Sequence, residues 1–273
     1  MLIRLVGNAE RESQDMISDD KTKTRCVIIA AYQSAPRADL SDIGPRDLIV
    51  CADGGYAHAQ ACGVVPHAII GDFDSLEHAP SSAGDAGVEV IRLDTDKDRT
   101  DTLECVRYGI GKGFEDFLII GGLGGRLDHS IANIQTLSFL TDMGCRAWIV
   151  DGKNRAAMVA GAARNLAELS VKVDGPVVDA LGCDFAEVCG VGTADAAQPG
   201  SICLEPIMPN GKFSVFSYEE RSVGVCISGA KYHLTDAVLT QSYPIGVSNE
   251  FVGDSPVTIS VTRGRLLIVL SED

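Results

Sequence analysis

The chain has 273 residues and a formal net charge of −15. At about 150 residues per domain it makes one large or two ordinary domains, long enough to bury a core without disulfide or metal staples. The acidic balance argues against nucleic acid and anionic membranes as partners, and 45% hydrophobic against 22% charged residues excludes a disordered or fibrous chain.

Residues 1–24 end in the polar tract ERESQDMISDDKTKT and are expected to form a mobile N-terminal arm. From Cys26 onward, short apolar runs alternate with helical patterns. CVIIAAY (26–32), DLIVCAD (47–53), HAIIGDFD (67–74), FLIIGG (117–122) and RAWIVD (146–151) read as strands buried on both faces, as in a parallel sheet. Between them, Thr100–Ile110 carries Leu103, Val106 and Ile110 on one stripe, with Asp101 and Glu104 as a capping pattern. Leu127–Leu140 spaces Leu127, Ile131, Ile134 and Leu137 as one helical face. The alternation predicts a doubly wound, mostly parallel α/β domain over 25–152.

Beyond it the pattern changes. KFSVFSY (212–218), SVGVCIS (222–228) and DAVLTQS (236–242) read as antiparallel strands, and VTISVT (257–262), Arg263-Gly264 and RLLIVL (265–270) as a hairpin. An all-β sandwich over 153–273 follows, in which 175–211 has no clear element. Nine cysteines with no C-x-x-C pair, mostly inside apolar runs, read as reduced thiols; Cys183, Cys189 and Cys203 are too irregular for a zinc site. No apolar run approaches the ~18 residues that span a bilayer, and the N-terminus is too polar for a signal peptide, so a cytoplasmic location is expected.

The candidate chemistry lies where the parallel strands end, since ligands bind beyond the carboxyl ends of an open α/β sheet. Asp53-Gly54-Gly55, Gly71-Asp72-Phe73-Asp74-Ser75, DTDKDRTD (94–101) and GGLGGRLDH (121–129) all fall there. Asp72 and Asp74, two apart, project from one side of an extended segment; at roughly 6–7 Å and an effective dielectric near 20 they repel by about 2–3 kcal/mol. With Asp53, Asp98, Asp101 and Asp128 on the same edge, a hard cation relieves that repulsion, and all-oxygen ligands favour Mg²⁺. GGLGGR offers backbone N–H groups and the forked donor Arg126 to phosphate oxygens. It is not a Walker A loop, which needs G-K-[ST], nor G-x-G-x-x-G, because Leu127 stands at the third glycine.

In this order and spacing, DGG, GDFDS, D-x-D-x-T-D and GGLGGRLDHSIANI resemble the thiamin pyrophosphokinase (thiamine diphosphokinase) family. ISGAKYHL (227–234) and GVSNEF (246–251) are similar to segments of its second half, with Ala230 where the family usually carries Leu. The resemblance implies an α/β domain, a β-sandwich, and a homodimer with sites shared between subunits. It implies transfer of the pyrophosphoryl group of Mg-ATP to the thiamine hydroxyl, giving thiamine diphosphate and AMP. Asp72, Asp74 and Asp101 would hold Mg²⁺. Asp53, Gly54, Thr100, Gly122, Gly124, Gly125, Arg126, His129 and Asn133 would surround ATP, with Asp128 beside the reacting groups. Lys97, Ser228, Tyr232, Ser248 and Asn249 would receive thiamine. Either Asp101 or Asp128 would orient the hydroxyl or take its proton. Three other readings remain open here: a pyrophosphokinase for another hydroxyalkyl heterocycle such as a hydroxymethylpterin, a non-catalytic Mg-ATP-binding regulatory module, and a metal-dependent phosphohydrolase.

Overall fold

The computed structural model describes residues 4–6, 25–34, 40–73, 87–94, 98–161, 200–206 and 211–272. Strand β1 (Arg4–Val6) lies within the expected N-terminal arm, the rest of which is outside the described residues. The described chain forms two compact units: one runs from Arg25 to Gly152, the other holds Lys153–Gly161, 200–272 and β1.

The first unit is α/β. Its strands are β2 (Cys26–Ile29), β3 (Leu48–Ala52), β4 (Ala68–Gly71), β5 (Glu89–Arg92), β6 (Asp116–Ile120) and β7 (Arg146–Asp151), and its helices α1 (Gly55–Ala61), α2 (Asp101–Gly111) and α3 (Leu127–Asp142). All five strand pairings are parallel, in the order β7-β6-β2-β3-β4-β5. The chain starts at β2, winds outward to β5, then crosses back to β6, so the winding reverses between β2 and β6. The unbroken apolar runs follow from cover on both faces. On one face Ile29, Ile49, Cys51 and Ile69 pack with Tyr56 and Ala59 of α1 and with Leu40 and Ile43. On the other, α2 lies so close that a Cβ on Gly109 would fall 2.7 Å from Cys26 Sγ. The edge strand β5 has no counterpart in the sequence reading; only Ile91 of its four residues is buried, so it lacks the continuous apolar run.

Helices α2 and α3 begin close to the predicted positions, whereas α1 has no counterpart in the sequence reading; of the stripe expected on α2, Val106 and Ile110 are buried and Leu103 is half-buried. Thr100 is the N-cap of α2, its Oγ1 accepting from Leu103 N–H at 3.2 Å. Glu104 is not a capping residue. It is buried, and its Oε1 accepts from Arg107 Nη1 at 2.7 Å and Arg99 Nε at 2.5 Å. In α3, Leu127 and Ile131 are exposed; the buried face is Ser130, Asn133, Thr136, Leu137 and Leu140. The first turns of α3 therefore turn polar groups inward.

The second unit is all-β. One antiparallel sheet runs β1, β9 (Gly200–Leu204), β14 (Val257–Val261), β11 (Arg221–Ser228), β12 (Leu234–Thr240); the other runs β13 (Asn249–Glu250), β10 (Lys212–Ser217), β15 (Arg265–Ser271), β8 (Asn154–Ala160). Alternate residues of β10 and β14 are buried, which is the pleat of sheets covered on one face. The expected 257–270 hairpin does not form. β14 pairs with β9 and β11, while β15 pairs with β8 and β10 in the other sheet. Arg263-Gly264, with Gly264 at φ +98, carries the chain from one sheet to the other. Two alternating strands around a glycine fit either geometry locally. Among the described residues no helix is long and apolar enough to cross a membrane.

Candidate active site

The carboxyl ends of β3 and β4 bring acidic residues side by side. Asp53 follows β3 in the left-handed region at φ +41, is buried, and donates its N–H to Ile70 O at 2.9 Å. A Cβ on Gly71 would lie 3.1 Å from Asp53 Oδ1, so Asp53 packs directly against the residue preceding Asp72. Gly54 then forms the N-cap of α1. Phe73, between Asp72 and the expected ligand Asp74, is also left-handed at φ +61, and the Arg92 guanidinium sits 5.1 Å from the centre of its ring. Such backbone costs about 1–3 kcal/mol per residue and persists where surrounding structure imposes it. Asp74 and Lys97 lie outside the described residues.

Asp101 opens α2 directly after the Thr100 cap. The buried Glu104–Arg107 pair anchors Arg99, and with it the segment leading into Thr100 and Asp101. Thr100 Oγ1 accepts the capping bond as described, which leaves its hydroxyl proton to donate elsewhere.

The glycine loop follows β6 at the reversal of strand order. Four consecutive amides are committed within the protein: Gly121 N–H to Val150 O, Gly122 N–H to Tyr32 O, Leu123 N–H to Asp151 Oδ2 and Gly124 N–H to Ser130 Oγ, all at 2.8–2.9 Å. Asn133, expected against ATP, is buried and donates from Nδ2 to Gly122 O at 2.9 Å. A Cβ on Gly124 or Gly125 would lie 2.7 Å from the Tyr32 ring, so the loop lies flat on that ring. The amides of Gly125, Arg126, Leu127 and Asp128 come next, at the start of α3, and have no acceptor among the described residues. The loop's open donors are thus those of its second half and of a helix N-terminus, where the dipole favours anions.

Arg126 and Asp128 form a forked pair, Nη2 to Oδ2 at 2.6 Å and Nε to Oδ1 at 3.2 Å, with both side chains exposed. The Arg126 hydrogen bond, opposed by some desolvation and aided by the His129 amide, holds the Asp128 carboxyl below its ordinary range. His129 is exposed, and its N–H donates to Asp128 Oδ1 at 3.0 Å.

Four of the five expected thiamine residues, Ser228, Tyr232, Ser248 and Asn249, lie in the second unit. Ser228 ends β11, exposed and opposite Thr258 of β14. Ala230 is fully buried and bridges to Phe251. Tyr232 is 59% exposed, with Lys231 Nζ 5.4 Å from its ring centre. Asn249 is buried and serves the Tyr232 backbone in both directions: Oδ1 accepts from Tyr232 N–H at 3.0 Å and Nδ2 donates to Tyr232 O at 2.7 Å. Oδ1 also accepts from Glu250 N–H, so one of the amide's two N–H groups is committed to Tyr232 O and its oxygen serves two donors. Ser248 is exposed, left-handed at φ +57, and donates its backbone N–H to Ser214 Oγ at 3.1 Å. The structure thus groups Tyr232 with Asn249, and places Ser248 next to them in the chain.

Tyr32, Ser130 and Asp151 hold the glycine loop, with Ser34 bonded to Asp151, and the sequence reading did not single them out. For Asp151 the signal was present: it ends an apolar strand, as the acids at 53 and 72 do. Among the described residues no three His, Cys, Asp or Glu side chains form a group suited to a metal ion. The carboxylate set proposed for one includes Asp74.

Two family models match the chain: the thiamin pyrophosphokinase catalytic domain over 43–149, and the thiamin pyrophosphokinase vitamin B1 binding domain over 203–266. A thiamine pyrophosphokinase of Bacillus subtilis (strain 168) is 22% identical over 244 residues, 84% of this chain and 96% of that protein. Thiamin pyrophosphokinase 1 of Caenorhabditis elegans is 29% identical over 124 residues, 41% of this chain and 49% of that protein. The crystal structure of the Bacillus subtilis enzyme shares the fold, with a TM-score of 0.69 over 92% of this chain and all of that one, at 22% identity. Yeast thiamin pyrophosphokinase does so with a TM-score of 0.61 over 99% of this chain and 97% of that one, at 14% identity. The catalytic match covers the acidic strand ends and the glycine loop, the vitamin B1 match covers Ser228 to Asn249, and the chain belongs to the thiamin pyrophosphokinase family.

Proposed function

We infer that this chain transfers the pyrophosphoryl group of ATP to the hydroxyl of thiamine, giving thiamine diphosphate and AMP. The observation that carries this reading is the presence, in one chain, of a catalytic-domain match over the acidic strand ends and a vitamin B1-binding match over the Tyr232–Asn249 group. In such a transfer the hydroxyl oxygen attacks the β-phosphorus and AMP leaves with the α–β bridging oxygen. Little covalent work falls to side chains, so alignment and charge neutralisation dominate.

Asp72, Asp74 and Asp101 are proposed to hold Mg²⁺, supported by an all-oxygen donor set and by Asp53 packed beside Gly71. The ion, when bound, offsets the charge of the ATP phosphates in a protein of net charge −15. The open amides of Gly125 to Asp128 and the Thr100 hydroxyl bind phosphate oxygens. Arg126 exchanges its fork on Asp128 for phosphate, which frees Asp128 to orient the thiamine hydroxyl. Tyr232, ordered by Asn249, offers an aromatic surface to the thiamine rings, whose positive charge suits it. We also propose a homodimer, supported by the exposed Tyr243, Ile245, Val247 and Val252 of the second unit, and a cytoplasmic location, supported by seven described cysteines that are all free thiols.

Purified protein is tested for AMP release from Mg-ATP with and without thiamine, with the product identified by mass. AMP and thiamine diphosphate formed together, and only with thiamine, are expected; AMP formed with a hydroxymethylpterin in its place, or phosphate released with no acceptor, overturns the reading. Asp74→Asn is expected to abolish AMP formation in a folded protein, and retained activity removes Asp74 from the metal set. Sedimentation velocity decides the dimer.

A further inference from the structure

We propose that Asp151 is a positioning residue for the ATP half of the reaction: its buried carboxylate ties the loop after β2 to the loop after β6 and so fixes the amides that meet phosphate. This rests on the function proposed above.

Asp151 is the last residue of β7 and 2% exposed. Its Oδ1 accepts from Ser34 N–H at 2.7 Å and from the Ser34 hydroxyl, and its Oδ2 accepts from Leu123 N–H at 2.9 Å. Ser34 belongs to the loop leaving β2 and Leu123 to the glycine loop leaving β6, so one carboxylate spans both sides of the point where the strand order reverses. Three donors on two oxygens call for a carboxylate, because the amide of an asparagine would turn an N–H₂ group toward one of them. The approach is close throughout. Gly152, at φ +57, leaves room for Ser34, whose Oγ would lie 2.5 Å from a Cβ at that position. Gly122 N–H donates to Tyr32 O, and Gln33 Nε2 donates to Ala30 O and Ile120 O at the ends of both strands.

A run of glycines loses more conformational entropy on ordering than any other sequence. Gly121, Gly122, Gly124 and Gly125 all have positive φ, and Leu123 is the non-glycine between them. Fixing Leu123 from outside the loop therefore sets the direction of the next open amides, those of Gly125 and Arg126. None of these contacts involves a residue expected to receive thiamine, so the effect belongs to ATP alone.

The test measures binding of Mg²⁺ with α,β-methylene-ATP by calorimetry, together with separate KM values for ATP and thiamine. Asp151→Asn is expected to weaken the analogue and raise the KM for ATP by about tenfold, the scale of one orphaned buried donor. The KM for thiamine is expected to stay unchanged. Ser34→Ala, which removes the hydroxyl but keeps both backbone bonds, is expected to show a smaller loss in the same direction, and it decides the matter if Asp151→Asn does not fold. Analogue binding equal to wild type in a folded Asp151→Asn, or in Ser34→Ala should the former not fold, overturns the proposal, as does an equal rise in both KM values. Failure of the wild type to bind the analogue overturns it too. Wild type that binds the analogue but forms no thiamine diphosphate counts against the function, while the Asp151 variants still test the loop.

Discussion

Asp128 and Arg126 show how a charged pair on a helix N-terminus is poised. The fork at 2.6 and 3.2 Å holds the Asp128 carboxyl below its ordinary pKa. A lowered folded pKa contributes stability above the unfolded value and loses it as pH falls through the folded one, and full exposure with salt screening keeps that contribution small. Arg126→Ala is expected to raise the Asp128 pKa toward the ordinary range, read by NMR titration of the carboxyl, with little change in melting temperature. Asn249 acts differently. Two of its three hydrogen bonds order the Tyr232 backbone, so Asn249→Ala is expected to raise the KM for thiamine though the Tyr232 ring is untouched, with about 1–3 kcal/mol lost for each donor left unpaired in the interior. An unchanged KM for thiamine would remove Asn249 from that role. The candidate acids and glycines were legible because strand-end acids and glycine runs are local patterns. Asn249 as a backbone clamp was not, because its partner lies 17 residues away.

Helix α2 depends on a buried charge. Arg107 and Glu104 are both about 3% exposed or less, and Arg99 joins them from the preceding loop. Removing one partner leaves a buried charge uncompensated, so Arg107→Ala is expected to cost about 3–5 kcal/mol of unfolding free energy in urea titration. A cost under about 1 kcal/mol would mean that Arg99 alone satisfies Glu104. The helix was readable from its periodicity and its cap. The ion pair was not, since Glu104 in the first turn suits a capping box equally well. For α3, apolar spacing suggested a stripe through Leu127 and Ile131, whereas the protein buries Ser130 and Asn133 there to hold Gly124 and Gly122.

Across the α/β unit, burial governs three thiols, Cys26, Cys51 and Cys105. Desolvation raises Cys26 and Cys105 far above the usual range and pushes Cys51 up to about 12. A raised folded pKa contributes stability below the unfolded thiol value of 9.0, lost as pH climbs through the folded one. Native protein at pH 8 is expected to leave these three unmodified by iodoacetamide, with labelling appearing on denaturation or well above pH 9, read by peptide mass mapping. Rapid native labelling of Cys51 would contradict its burial.

What the sequence by itself determined is what neighbouring residues decide: helices α2 and α3 and the strands with clear apolar runs or alternation, the change from parallel to antiparallel texture after residue 152, and the acids and glycines at strand ends. Those features follow from periodicity and turn chemistry, which act over a few residues. Tertiary structure alone decided which strands meet. β14 and β15 adjoin in sequence yet lie in different sheets, and β5 takes its place only because β4 offers an edge. It also decided that Asp151, Ser34 and Leu123 share one buried carboxylate, since hydrogen bonds across 117 and 28 residues exist only once the parallel sheet has brought its strand ends together.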